Sequence, residues 1–290
     1  MLGVVALVCL SLTACSSGAS QSHHRPSLNI DALRRENSVE KNRDQWAMPL
    51  DAYMVESSLD YALDVLIEPC MREEGFDYRS PIFDLAARSE TMTVGGRQIF
   101  NVDVAQRWGY AGAPDPNAEV IASANESARA WSPEQQAQFD ACMATARREF
   151  PAQDVNNTVT SLAIPPWNEA RNAAEVVAAA ERWVLCMQPL GFTDLPSAPH
   201  SAEGGTPTDS MLASFGEIAD GQDNPRTPAQ RAEEIRIATF DAECQESSGY
   251  AQALYDAEWE RQLPVVEANE DVLTRLLEEK ESYELSLIHI

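Results

Sequence analysis

The residues best placed for chemistry are the cysteines, six in all, and three of them recur in one frame. Cys70-Met71-Arg72-Glu73-Glu74-Gly75-Phe76 and Cys186-Met187-Gln188-Pro189-Leu190-Gly191-Phe192 carry Cys, Met, Gly and Phe at the same offsets. Cys244-Gln245-Glu246-Ser247-Ser248-Gly249-Tyr250 is a looser echo. In each copy glycine follows cysteine by five positions and an aromatic residue follows by six. Such thiols can cross-link, ligate a soft metal or act as nucleophiles. Zinc is disfavoured, because there is no Cys-x-x-Cys and no histidine nearby in sequence. Met71 and Met187 next to cysteines would suit copper(I), but packing under a helix end explains both positions. No metal and no cofactor is expected, which leaves cross-linking.

The spacing also says which elements carry these thiols. Glycine after an amphipathic run stops a helix, because it takes the left-handed conformation without a Cβ penalty. With Gly75 just past the end, Met71 and Phe76 take the two positions that touch in a Schellman cap. Gly191 does the same for Met187 and Phe192. In the third copy Gln245 replaces the methionine, so that cap is expected to be weaker. The preceding runs are helical in period: Leu59, Ala62, Leu63, Leu66, Ile67 and Cys70 share one stripe, and Val176, Ala179, Ala180, Trp183 and Met187 another. The other partners, Cys142 and Cys244, follow Phe-Asp-Ala on helices opened by Ser132-Pro133 and Thr227-Pro228. Ser or Thr at the N-cap with proline next is a strong helix start. The chain therefore reads as one plan used twice, and the predicted fold is a mainly α, disulfide-stapled protein of two pseudo-repeated halves. Residues 46–160 form the first half and residues 161–284 the second.

Compartment follows from the N-terminus. Residues 2–12 are almost all apolar and lead into Leu12-Thr13-Ala14-Cys15. This resembles the lipobox of bacterial lipoproteins, in which the cysteine is lipidated and becomes the mature N-terminus. The run is too short to span a membrane and reads as a signal segment over residues 1–14. No Lys or Arg precedes Cys15, so the natural start is expected further upstream. Two or more acyl chains on Cys15 would anchor the chain stably to the membrane. Cys9 leaves with the signal and Cys15 is acylated, so Cys70, Cys142, Cys186 and Cys244 remain for disulfides outside the cytoplasm. Four cysteines allow three connectivities. The repeat favours Cys70–Cys142 and Cys186–Cys244, one per half. Residues 15–45 read as a flexible tether, and His23 and His24 lie in it.

Trp46-Ala47-Met48-Pro49-Leu50-Asp51-Ala52-Tyr53 opens the folded region. Here and at the Cys-Met-x-x-x-Gly-Phe units the chain resembles a group of secreted lipoproteins from high-GC actinobacteria. The resemblance covers most of residues 46–284. It implies the cell envelope as compartment and a disulfide-bonded helical architecture, and it implies no activity.

The connections are less regular. Gly95-Gly96, flanked by Met92-Thr93-Val94 and Gln98-Ile99-Phe100, predicts a small hairpin. Trp108, Tyr110 and Trp131 could line a groove for glycan or peptide, or could pack the connection onto the helices. Pro165-Pro166 marks the expected joint between the halves. A short helix is expected around residues 210–218. After Tyr250 comes a long acidic amphipathic stretch with Leu263, Val266, Leu273 and Leu277 on a seam, kinked or restarted at Pro264. Residues 285–290 turn abruptly apolar and are set apart as a non-native tail.

The net charge of −25 argues against a nucleic-acid partner and against direct adhesion to anionic lipid. Of the four histidines, His200 alone falls inside the folded region, in a Pro-Ser-rich loop. No nucleophile elbow, P-loop, dinucleotide fingerprint, HExxH or EF-hand occurs. Catalytic residues are therefore not assigned. The expected role is non-catalytic binding or structure at the outer face of the cytoplasmic membrane, through an envelope protein or cell-wall partner met by the acidic C-terminal helix or the inserted loops. Two alternatives are a carboxylate-dependent cell-wall glycan hydrolase and a small-ligand receptor.

Overall fold

The computed structural model describes residues 38–55, 58–84, 87–149, 152–202, 204–216 and 226–287. The signal segment, Cys15, His23 and His24 lie outside these residues. Ten α-helices carry the described fold: α1 (Ser58–Glu73), α2 (Val102–Trp108), α3 (Ala118–Arg129), α4 (Pro133–Glu149), α5 (Ala152–Arg171), α6 (Ala174–Met187), α7 (Asp209–Phe215), α8 (Pro228–Ser247), α9 (Tyr250–Ala268) and α10 (Glu270–Leu287). A 3-10 turn at Pro49–Tyr53 precedes them, and a two-residue antiparallel ladder pairs β1 (His200–Ser201) with β2 (Gly204–Gly205). The mainly α class is as predicted. The ladder lies outside the stretch where a hairpin was expected. Around Gly95-Gly96 the chain instead makes a tight turn with one bridge, Met92 to Gln98, and a hydrogen bond from Thr93 N–H to the Arg97 carbonyl at 2.8 Å.

The helix-end prediction holds in detail at α1 and in part at α6, which ends at Met187 and reaches Gly191 through a 3-10 turn at Gln188–Leu190. Gly75 and Gly191 sit at φ 86° and 76°. At the end of α1 the Phe76 N–H donates to the Met71 carbonyl and the Gly75 N–H to the Arg72 carbonyl, each at 3.0 Å. These are the two bonds of a Schellman motif. Met71 and Met187 are fully buried, and Phe76 and Phe192 pack in the same clusters as their methionines. The third copy diverges as expected: Gly249 is left-handed but serves directly as N-cap of α9, and Gln245 turns inward to donate to Asp241. Ser132 and Thr227 cap α4 and α8 by accepting from the Gln135 and Gln230 N–H groups.

The disulfides join Cys70 to Cys142 and Cys186 to Cys244, with Cα atoms 5.8 and 5.6 Å apart. Each ties the last turn of one helix to a Ser/Thr-Pro-capped helix, α1 to α4 and α6 to α8.

The two halves are not separate bodies. The boundary expected between residues 160 and 161 falls inside α5, which runs through Pro165 and Pro166. The prolines forfeit two backbone bonds, yet the helix persists because Val155, Val159, Pro166 and Ala170 are buried. α5 packs chiefly on α9, a helix that also touches α6, α8, α10 and the Pro49–Tyr53 turn. The core is correspondingly interleaved. A first cluster joins Leu50, Ile67, Met71 and Cys142 to Leu273 and Leu276 of α10. A second joins Ala105 and Tyr110 to Trp183, Met187, Ile237 and Cys244. A third lies between α5, α6 and α9, around Ala179, Tyr250 and Leu254.

The ends of the packed chain and the acidic stretch differ in part from expectation. The packed chain begins before Trp46, because Lys41 and Arg43 pair with Asp256 and Glu246. The helix does not restart at Pro264; α9 continues through it to Ala268, and the chain restarts at Asn269. The seam leucines Leu273 and Leu277 are buried against the chain's own core, while Leu263 is exposed. The helix of residues 270–287 reaches into the stretch set apart as a tail.

Candidate functional site

A large opening, about 910 Å³, lies in the first inserted connection. Its floor is built by local hydrogen bonds. After the Schellman turn the chain doubles back along α1, where the Ser80 N–H donates to Glu68 Oε2 at 3.0 Å and the Ser80 hydroxyl to the Asp64 carbonyl at 2.6 Å. Tyr78 is thereby set edge-on to Trp131 and Phe139, with ring centroids 5.9 and 5.6 Å away. Burial, and next the charges of Asp64 and Glu68, push its hydroxyl above the usual phenol value. Farther on, the Asp84 N–H donates to Asn117 Oδ1 and the Asn117 amide donates back to the Asp84 carbonyl, which fixes where α3 begins. α3 faces the opening with Val120, Ile121, Ala124 and Ala128. The exposed carboxylates of Asp77 and Glu119 stand at the rim.

A smaller cleft of about 140 Å³ opens beside the Pro49–Tyr53 turn. Here Arg97 projects from the Gly95-Gly96 turn between two indoles, its guanidinium carbon 4.2 Å from the Trp167 ring centroid and 5.7 Å from that of Trp46. It donates through both terminal nitrogens to Glu258, which is 0% exposed. Trp46 Nε1 and Gln262 Nε2 donate to the same carboxylate at 3.1 and 3.2 Å. Asp51 lines the cleft and accepts the Met48 N–H, and burial raises its carboxyl to about 6. This cation is already neutralised and boxed by aromatic faces, so the arrangement fastens the turn to α9.

His200 lies 5.7 Å from the ring of Trp167 and stacks on Tyr250 at 6.0 Å. Burial, then the charges of Arg97 and Arg171, lower it to about 4. Asp51 and His200 act oppositely on stability. Between pH 6.5 and about 4 the unfolded chain takes up a proton that native His200 refuses, so this residue costs stability as pH falls. Asp51 keeps its proton in the native state up to pH about 6, where the unfolded carboxyl has lost it above 3.8, so it returns stability as pH falls. In urea unfolding across that window, His200→Asn is expected to lose stability less steeply than the parent and Asp51→Asn more steeply, each by about 1–3 kcal/mol.

A third polar centre is closed. Asp241 is fully buried and accepts from Trp183 Nε1 at 2.8 Å, the Tyr110 hydroxyl at 2.9 Å and Gln245 at 3.0 Å. Glu234 accepts the Tyr110 and Ala111 N–H groups at 3.0 Å and pairs with Arg226.

The aromatics Trp108, Tyr110 and Trp131 do not assemble one groove. Tyr110 stacks inside the second cluster on Phe100 and Phe215, and Trp131 alone of the three lines the large opening. Tyr78, Ile82, Phe83, Arg97 and Glu258 are not singled out by sequence, and Asp241 stands out there only as part of the Phe-Asp-Ala unit before Cys244. For Glu258 a signal existed: it continues the buried stripe Ala251, Leu254, Tyr255, where an acid needs a partner. Among the described residues no three His, Cys, Asp or Glu side chains gather as a metal site, and no helix is long and apolar enough to cross a membrane. No protein family, curated protein or solved structure matches the chain.

Proposed function

We propose that this chain is a lipid-anchored envelope protein that acts by binding, held through Cys15 at the extracytoplasmic face of the bacterial membrane. The observation that carries the reading is the cysteine use. Both disulfides close within their own repeat unit, as an oxidising compartment allows, and Cys15 stays outside that set behind its apolar leader. The binding role is supported by the large opening, whose walls are positioned by backbone hydrogen bonds and whose size falls in the range of about 300–1,000 Å³ usual for ligand pockets. Metabolic labelling with an alkyne fatty acid tests the anchor. The parent chain is expected to take the label and enter the detergent phase, and Cys15→Ser to lose both properties. Label retained by Cys15→Ser, or a parent chain that stays aqueous and unlabelled, would overturn it.

A further inference from the structure

Among the described residues, α3 is a helix with no extensive packing partner. Its residues alternate so that Val120, Ile121, Ala124 and Ala128 share one face, yet not one residue of the helix is buried. An amphipathic helix of only 12 residues gains its stability by burying that face, since isolated helices under about 12–15 residues are marginal in water. The opposite wall is equally unfinished. Ile82 is 81% exposed, next to Phe83 and across from Trp131. Between the two walls lies the opening of about 910 Å³.

We propose that this groove receives an amphipathic helix of another envelope protein, with apolar residues on its inner face and Lys or Arg on its flanks. Charge selects the partner. Asp64, Asp77 and Glu119 line the groove against one cation, Arg79, and the whole chain carries −25. A second copy or an anionic lipid surface would meet like charge, whereas a basic segment is attracted and steered. Shape selects the helix. The walls are α1, α3, α4 and the segment before Asp84, and the described strands, His200–Ser201 and Gly204–Gly205, lie outside the lining, so the groove offers no strand edge to extend. Recognition then runs through apolar anchors at helical spacing. The inference rests on the binding reading of this chain; the envelope origin of the partner depends on the Cys15 anchor, and the groove's preference for a basic amphipathic helix does not.

The test uses the full chain and a synthetic Leu/Lys amphipathic peptide, titrated by calorimetry and followed by hydrogen exchange. The Leu/Lys peptide is expected to bind and to protect residues 118–131. Ile82→Asp and Ile121→Asp are each expected to weaken it by about tenfold or more. Both positions are exposed, at 81% and 38%, so an unchanged melting temperature shows that folding is intact. Each variant adds a negative charge, so mere adhesion of a cationic peptide to an acidic protein would grow stronger, and that result would overturn the proposal. So would equal binding of a Leu/Glu peptide, competition by a soluble muropeptide, protection of α3 by phosphatidylglycerol vesicles in the absence of peptide, or self-association that protects α3 without peptide. A failed Cys15 labelling experiment would leave the groove result standing.

Discussion

Arg97→Met is expected to lower the unfolding free energy by about 3–5 kcal/mol, a large part of the roughly 5–15 kcal/mol that holds an ordinary domain. The cause is the anion left behind. Glu258 has no solvent exposure, and Arg97 meets both of its oxygens. Without that fork the carboxylate keeps only the neutral donors of Trp46 and Gln262. The contact also joins distant parts of the chain, because Trp46, Arg97 and Glu258 come from the opening strap, the Gly95-Gly96 turn and α9. Arg97→Lys keeps the charge but loses the bidentate geometry and the stacking on Trp167, so an intermediate loss is expected. Adding Glu258→Gln to Arg97→Met should restore stability, since it removes the unpaired charge. Urea unfolding of the cycle measures this. A single-mutant loss under about 1 kcal/mol would mean that the pair is not what keeps Glu258 buried.

The parts of this fold written in short-range chemistry are legible in the sequence. Gly75 and Gly191 stop helices because of a local backbone requirement, and Ser132-Pro133 and Thr227-Pro228 start them for an equally local reason. The disulfide partners follow, because two copies of one plan place their thiols alike. What depends on tertiary partners is not legible. Pro165-Pro166 reads as a joint, since local propensity penalises proline, but burial of the α5 face against α9 outweighs it. α8 and α9 look poorly amphipathic because Glu234, Asp241, Glu258 and Gln262 stand on their buried faces. Each is tolerated only because a residue distant in sequence meets it, such as Tyr110 for Asp241 or Arg97 for Glu258. The same holds for the groove. α3 lies in a connection that reads as irregular, and the facing Ile82 and Phe83 belong to a stretch that has no period to read.

The two disulfides should differ in what their loss opens, although the chain-entropy treatment gives each the same order of stabilisation. The bridges span 72 and 58 residues, and loops of that size correspond to about 4 kcal/mol apiece at most. Cys186–Cys244 joins α6 to α8, and both helices also pack on α9, with α8 meeting α2 and α7 as well. Cutting it with paired Ser substitutions should lower global stability without freeing any one segment. Cys70–Cys142 is different. The principal packing partner of α4 is α1, α3 buries none of its residues, and the bridge is the covalent tie of that layer to the body. In Cys70→Ser/Cys142→Ser, residues 118–149 should therefore exchange amide hydrogens well before the rest of the chain, a local opening below the global one. Because α3 and α4 form a wall of the groove, this variant should also lose binding of the Leu/Lys peptide, while Cys186→Ser/Cys244→Ser should keep it at temperatures where it remains folded. Uniform exchange in both variants would mean that α3 and α4 are held by packing alone, and the staple would then have no part in keeping the groove open.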